Sequence, residues 1–297
     1  MRSHLLLMGA LLASLPPRSA GQARAFDPAQ PHINELGMRF VPVAGTKVQF
    51  SIYETRVKDF RVFIRESGYV HMRETADSES RMWSLDKDGN KQRGHSWEKP
   101  GFPQTEEHPV VGVSWHDAKA FCEWLTVRER AASRLPAGWE YRLPTDHEWS
   151  VAVGLKEDEK ETPEEKDAGI KDRYPWGGWP EGNPPPAGAG NYAGTEANDG
   201  HRPMNFGTIE SYRDGHARTA PVGSFKPNEL GIYDLGGNVW EWCEDAYRPD
   251  AGTRVLRGAS WTDDDRDDLL SSDRHYVHPA NRNGNYGFRC VVGSSSP

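Results

Sequence analysis

The last third of the chain is broken up too densely for any long regular element. It runs Gly231-Ile232-Tyr233-Asp234-Leu235-Gly236-Gly237-Asn238-Val239-Trp240-Glu241-Trp242, then Arg257-Gly258-Ala259-Ser260-Trp261, then Gly287-Phe288-Arg289-Cys290. Glycine weakens helix and strand alike, so a segment like this folds as short strands and turns and buries itself through its tryptophans. The whole chain shares that character, with 30 glycines, 22 prolines and 11 tryptophans in 297 residues. A loop-rich domain stapled by large aromatics accounts for the mixture.

Upstream, periodicity marks a few regular elements. Val41, Val43, Val48, Phe50 and Ile52 alternate between Met38 and Glu54 around Gly45, which predicts a hairpin. Thr55 is placed to cap a helix with Val57, Phe60 and Ile64 on one face, stopped by Gly68. Residues 73–108 read as irregular chain with one small hairpin. Ser114 starts the clearest helix, its hydroxyl satisfying the amide of Asp117, with Ala118, Phe121, Cys122 and Leu125 on one face. Thr145 and Glu148 form a full capping box, so Glu148 has a structural duty ahead of a catalytic one. The mixed charges of residues 156–173 predict a solvated surface excursion, and the Gly, Pro and Asn of 175–203 an ordered loop. Short strands are expected around 221–225, 231–234, 239–243, 255–258 and 286–291. No repeat and no linker divides the chain, so one α+β domain is the economical reading.

Arg2, the apolar run from Leu5 to Leu15 and Ala23-Arg24-Ala25 have the layout of a secretory signal cut after Ala25; an ordinary N-terminal helix is the alternative. The expected order is a signal at 1–25, an unstructured lead at 26–35, the domain at 36–293 and a tail at 294–297. No other apolar stretch is long enough to cross a bilayer, so the mature protein is expected to be exported, to a periplasmic or extracellular location. Acidic residues outnumber basic ones 44 to 36 for a formal charge of −8, which leaves no electrostatic footprint for nucleic acid. Nucleotide-binding glycine motifs and the Gly-x-Ser-x-Gly nucleophile motif are absent from the sequence. Of three cysteines, Cys122, Cys243 and Cys290, an oxidising compartment allows one intramolecular bridge, and spacing alone does not choose the pair.

Together with Arg142-Leu143-Pro144-Thr145-Asp146-His147-Glu148-Trp149 and Tyr174-Pro175-Trp176-Gly177, the three C-terminal blocks resemble the formylglycine-generating enzyme, or sulfatase-modifying factor, family. The blocks follow the family's order over residues 36–292. The resemblance implies an elaborated C-type-lectin-like fold with few regular elements and loops held by calcium. It also implies a Cys122–Cys290 bridge, worth roughly 4–5 kcal/mol on the chain-entropy model, with Cys243 left as a buried thiol.

Asp234, Gly237, Val239 and Glu241 match one calcium site of the family: two carboxylates flank a turn whose carbonyls can point inward, the oxygen-rich geometry calcium accepts. The plain alternatives are a turn residue bonding its own backbone for Asp234 and a strand-end ion pair for Glu241. The family's other site maps onto the side chains of Asn191 and Asp214 and the carbonyls of Tyr192 and His216. Active relatives hold copper(I) through two cysteines five residues apart, and those positions here are Asp263 and Asp268. Carboxylates are hard ligands that hold a soft ion poorly, so copper chemistry is not expected.

Trp240, Ser260 and Asn285 match pocket positions of the family, against plain readings as core residue, turn hydroxyl and turn former. His275 and His278, with Asp263 or Asp273, are a candidate for an iron site. The expectation is a calcium-stabilised, non-copper member that binds a protein, peptide or glycan in the former active-site groove. The alternative is an oxidoreductase acting on a peptide or small thiol through another metal or none.

Overall fold

In the computed structural model, the described residues are 26–70, 82–85, 91–180, 184–198 and 207–294. The signal sequence read at 1–25 lies outside them, as do residues 295–297 of the tail. Eleven short strands and four helices are described: β1 His32–Ile33, β2 Arg39–Pro42, β3 Val48–Ser51, α1 Val57–Ser67, β4 Met82–Leu85, β5 Lys91–His95, α2 Trp115–Ala131, β6 Trp139–Arg142, α3 Asp146–Val153, α4 Pro163–Lys166, β7 Trp240–Ala246, β8 Arg254–Arg257, β9 His275–Val277, β10 Tyr286–Gly287 and β11 Val291–Ser294.

A five-stranded sheet has the order β1-β2-β3-β11-β6, a four-stranded one β10-β7-β8-β9, and β4 pairs only with β5. The chain's last strand is therefore central, with Val291 opposite both Phe50 of β3 and Arg142 of β6. In the second sheet β10 runs parallel to β7 with Tyr286 beside Trp240, and β8 runs antiparallel with Arg257 opposite Glu241. These two registers bring all three C-terminal blocks to one place. Phe60, Phe63, Phe121 and Phe288 interlock between α1, α2 and the end of β10, with ring centroids 5.3–6.5 Å apart. A second apolar cluster gathers Phe50, Trp149, Cys243, Val255 and Val291.

Local signals placed the starts of α2 and α3. Ser114 accepts from the Asp117 amide at 3.2 Å while the Asp117 carboxylate accepts from the Ser114 amide at 2.8 Å. Thr145 and Glu148 do the same at 3.1 and 2.9 Å, and Glu148 also takes the Arg142 guanidinium at 2.7 Å, which bears out its structural role. The hairpin of β2 and β3 and the small one of β4 and β5 both form.

Other expectations need correction. Arg56, not Thr55, caps α1: Asp59 accepts from the Arg56 amide at 3.2 Å and from its guanidinium at 2.8 Å, while the Thr55 hydroxyl meets the Cys290 sulfur at 3.8 Å. The lead at 26–35 is not unstructured, because β1 forms the sheet edge and Phe26 packs on Trp139 at 4.9 Å. Residues 221–225 and 231–234 form no strand, Gly223 and Gly231 taking φ of 77°, outside the extended range. Strand β9 was not anticipated.

The charged run at 156–173 is the largest departure, because its charges are not all solvated. Thr162 caps α4, Lys166 is buried against Asp146 at 2.7 Å, and Glu157 pairs with the buried Arg274 at 2.5 Å. A partner more than a hundred residues away along the chain, Arg274, holds Glu157 inside.

Candidate functional site

The Gly231–Trp242 block forms a turn leading into β7. Asp234 and Asn238 lie in the left-handed region at φ 55° and 64°, and Gly237 at φ 80°. A Cβ on Gly237 would stand 2.4 Å from the Asn191 carbonyl, so only glycine lets the two segments touch. Asn238 then ties four stretches together. Its amide N–H donates to the Asn191 carbonyl at 2.7 Å, its side chain donates to Glu54 at 2.7 Å and accepts from Ala220 at 2.9 Å, and its carbonyl accepts from Trp261 at 3.0 Å.

Glu241 is where three sequence blocks meet. Arg289 donates to its two oxygens at 2.5 and 2.6 Å, and the Trp149 indole N–H donates at 3.1 Å. Glu54 and Asp234 face the same guanidinium, and all four side chains are buried. Burial, then Asp234 and Glu241, raise Glu54 well above the carboxylate range; burial foremost pushes Asp234 up to about 6. Three carboxylates against one guanidinium leave a charge of −2 when all are ionised, which one divalent cation would neutralise. Among the described residues no three His, Cys, Asp or Glu side chains converge closely enough to ligate one ion, so a cation here depends on the turn carbonyls as well as Asp234 and Glu241. A cavity of about 760 Å³, with Pro175, Trp176, Asn228 and Leu230 among its walls, reaches Asp234.

Of the second predicted set, Asp214 lies against Tyr192 and His216. Asn191 is fully buried and its amide oxygen has no hydrogen-bond partner, although its nitrogen donates to the Arg218 carbonyl at 2.8 Å. Asp214 accepts from the amides of Tyr192 at 3.0 Å and His216 at 2.8 Å, and burial, with Glu196 adding repulsion, pushes it up to about 7. One buried oxygen of Glu196 has no hydrogen bond but lies 3.9 Å from the Arg213 guanidinium. An orphaned buried acceptor is costly unless something positive meets it, so the donor set fits a hard cation.

Of the predicted pocket residues, Ser260 and Asn285 come together beside Asp263. Ser260 donates to its carboxylate through the hydroxyl at 2.6 Å and the amide at 2.8 Å. The Asn285 amide nitrogen donates to the hydroxyls of Ser260 at 3.1 Å and Thr262 at 2.8 Å, and the Asn285 carbonyl accepts from the Trp240 amide at 2.8 Å. Burial foremost, then Asp268, pushes Asp263 up to about 7, against the Ser260 bonds. Asp268 itself is exposed and makes no bond to Asp263; the two interact through space. The iron-type cluster does not assemble: His275 is bound to the Tyr286 hydroxyl at 2.9 Å, while His278, three residues on and past the end of β9, is exposed.

The sulfurs of Cys122 and Cys290 lie 3.5 Å apart, both buried, and the structure holds them as thiols and not as a bridge; Cys243 is a buried thiol elsewhere. Sequence reading missed Glu54, Glu196, Asn238 and Arg289. Arg289 carried a usable signal, a lone charge between Phe288 and Cys290 in an apolar run, since a buried arginine requires an acid.

A family model described as the sulfatase-modifying factor enzyme 1-like domain matches residues 13–293. The inactive C-alpha-formylglycine-generating enzyme 2 of Bos taurus is 30% identical over 277 residues, covering 83% of this chain and 77% of its own. The formylglycine-generating enzyme of Streptomyces coelicolor is 32% identical over 229 residues, 67% of this chain and 59% of its own. Among solved structures, PvdO from Pseudomonas aeruginosa matches in fold with a TM-score of 0.54 at 18% identity, over 91% of this chain and all of PvdO.

Proposed function

This chain belongs to the sulfatase-modifying factor family, and from that membership we propose that it is an exported, calcium-stabilised member without a copper centre that binds a protein or glycan in its former active-site groove. The observation that carries the reading is Asp263. A carboxylate stands where a copper thiolate is expected, its oxygen is already bonded to Ser260, and the cysteines lie elsewhere in the fold. The likeness to relatives named inactive supports the same view. Asn191, Asp214 and the Tyr192 and His216 carbonyls would hold one calcium; Asp234, Glu241 and the Gly237 and Val239 carbonyls would hold the other. Bound there, calcium would supply charge neutralisation to loops that have no sheet or helix to pair with.

Elemental analysis of the mature protein, purified after export, tests the reading. We expect calcium near two per chain, and neither copper nor iron. Stoichiometric copper or iron would overturn it in favour of the oxidoreductase alternative.

The same exported protein is expected to carry a Cys122–Cys290 bridge. Peptide mapping without reduction should recover those two cysteines linked and Cys243 alkylated only after unfolding; Cys243 in the bridge would refute the pairing.

A further inference from the structure

We propose that the site at Asp263 receives a positively charged organic group, an ammonium or guanidinium. The inference rests on the groove-binding reading above and adds the charge of what is bound.

The first observation is a local excess of acid. Asp268 raises the proton affinity of Asp263, and Asp167, Asp268 and Asp263 raise that of Asp273. Two described arginines nearby are committed elsewhere. Arg257 is bonded to Asp146 at 2.6 Å and to three backbone carbonyls, and Arg266 turns away to Asp172 at 2.8 Å and the Tyr174 hydroxyl at 2.9 Å. Burial lowers His275, so it stays neutral against Tyr286 and supplies no positive charge. On the solvent side, Asp265, Asp267 and Asp268 are exposed and would steer cations inward.

The second observation is independent of the acids. Asn285 is only 8% exposed, and its amide oxygen has no partner, although its nitrogen is bonded to the hydroxyls of Ser260, which also bonds Asp263, and Thr262. A buried acceptor beside a carboxylate calls for a donor that brings charge. An ammonium offers three N–H donors and a guanidinium five, enough to reach both. A metal ion would need ligand atoms converging at about 2–2.5 Å, and no three acidic, His or Cys side chains do so among the described residues. Hydrogen bonds from an extended cation span longer distances and suit the dispersed acceptors.

The test is calorimetric titration of the full mature chain, calcium present, with agmatine, acetyl-arginine amide, acetyl-lysine amide and the uncharged acetyl-norleucine amide. The charged probes are expected to bind and acetyl-norleucine amide to fail. Asp263→Asn should weaken binding at least tenfold with calcium content unchanged, and the exposed Asp268→Asn about threefold, which keeps the inference testable if the first variant folds poorly. Capped residues outbinding agmatine would identify a protein side chain as the source of the cation; the reverse would identify a free amine. Binding of acetyl-norleucine amide as tight as that of the charged probes, or unchanged affinity in both variants, overturns the inference. Failure of every cation while an uncharged sugar binds the groove overturns it and leaves the binding-module reading standing; stoichiometric copper or iron overturns both.

Discussion

Asp146→Asn should destabilise the folded chain by about 3–5 kcal/mol, because it leaves buried cations unpaired. Asp146 opens α3 and is 1% exposed. Its carboxylate accepts from Arg257 at 2.6 Å, Arg274 at 3.1 Å and Lys166 at 2.7 Å. Arg274 continues to Glu157, Asp245 accepts from the Asp146 amide at 2.6 Å, and the Arg257 guanidinium lies 4.4 Å from the Trp149 ring centre. Three carboxylates thus balance three cations, and removing one charge exposes the full desolvation cost of its partners.

Burial opposes ionisation of Asp146, but Arg257 and Arg274, with Lys166, outweigh it and hold the carboxyl below its ordinary range. A depressed acid stabilises the fold above its unfolded pKa of about 3.9 and loses that contribution as pH falls through the folded value. Thermal melts should therefore show the variant roughly 10 °C below the parent at pH 7, from about 2–4 °C per kcal/mol for a chain near this size, with the gap closing below about pH 4. Equal melting temperatures at pH 7 would mean the network contributes nothing net. Lys166→Met tests it separately, since Asp146 would keep both arginines.

Chelation of the purified protein should lower the melting temperature by a comparable amount. Each site filled at a hundred times its dissociation constant adds about 2.7 kcal/mol, and two sites add about 5. Asn191→Ala should remove one calcium and about half of the response to chelator, because the orphaned buried oxygen of Asn191 is the feature that fits a cation there. Asp234→Ala should remove the other. A melting temperature indifferent to chelator would sink the calcium proposal and leave Glu54 and Asp234 to be stabilised by protonation against Arg289.

The parts of the fold legible in the sequence are those whose causes lie within a few residues. Ser114 with Asp117 and Thr145 with Glu148 close their own capping boxes, and the alternation around Gly45 makes its own hairpin. The groove was partly legible too, because Ser260 and Asp263 are one turn and Asn285 sits just before β10. What failed were inferences from local composition about charges whose partners are distant. Glu157 and Lys166 looked solvated in a polar run, yet Arg274 and Asp146 bury them. Thr55 looked like a cap, yet the next residue had an acid three positions ahead to grip.

The sequence by itself determined the family, the loop-rich architecture and the starts of α2 and α3. Only the tertiary structure decided which charges are buried and with whom: Glu54 with Asn238 across 184 residues, Glu241 with Arg289, and Asp146 with both arginines. The physical reason is range. Backbone propensity and capping act over three or four residues, whereas a buried charge is stable only against a counter-charge supplied by topology, which no local pattern encodes.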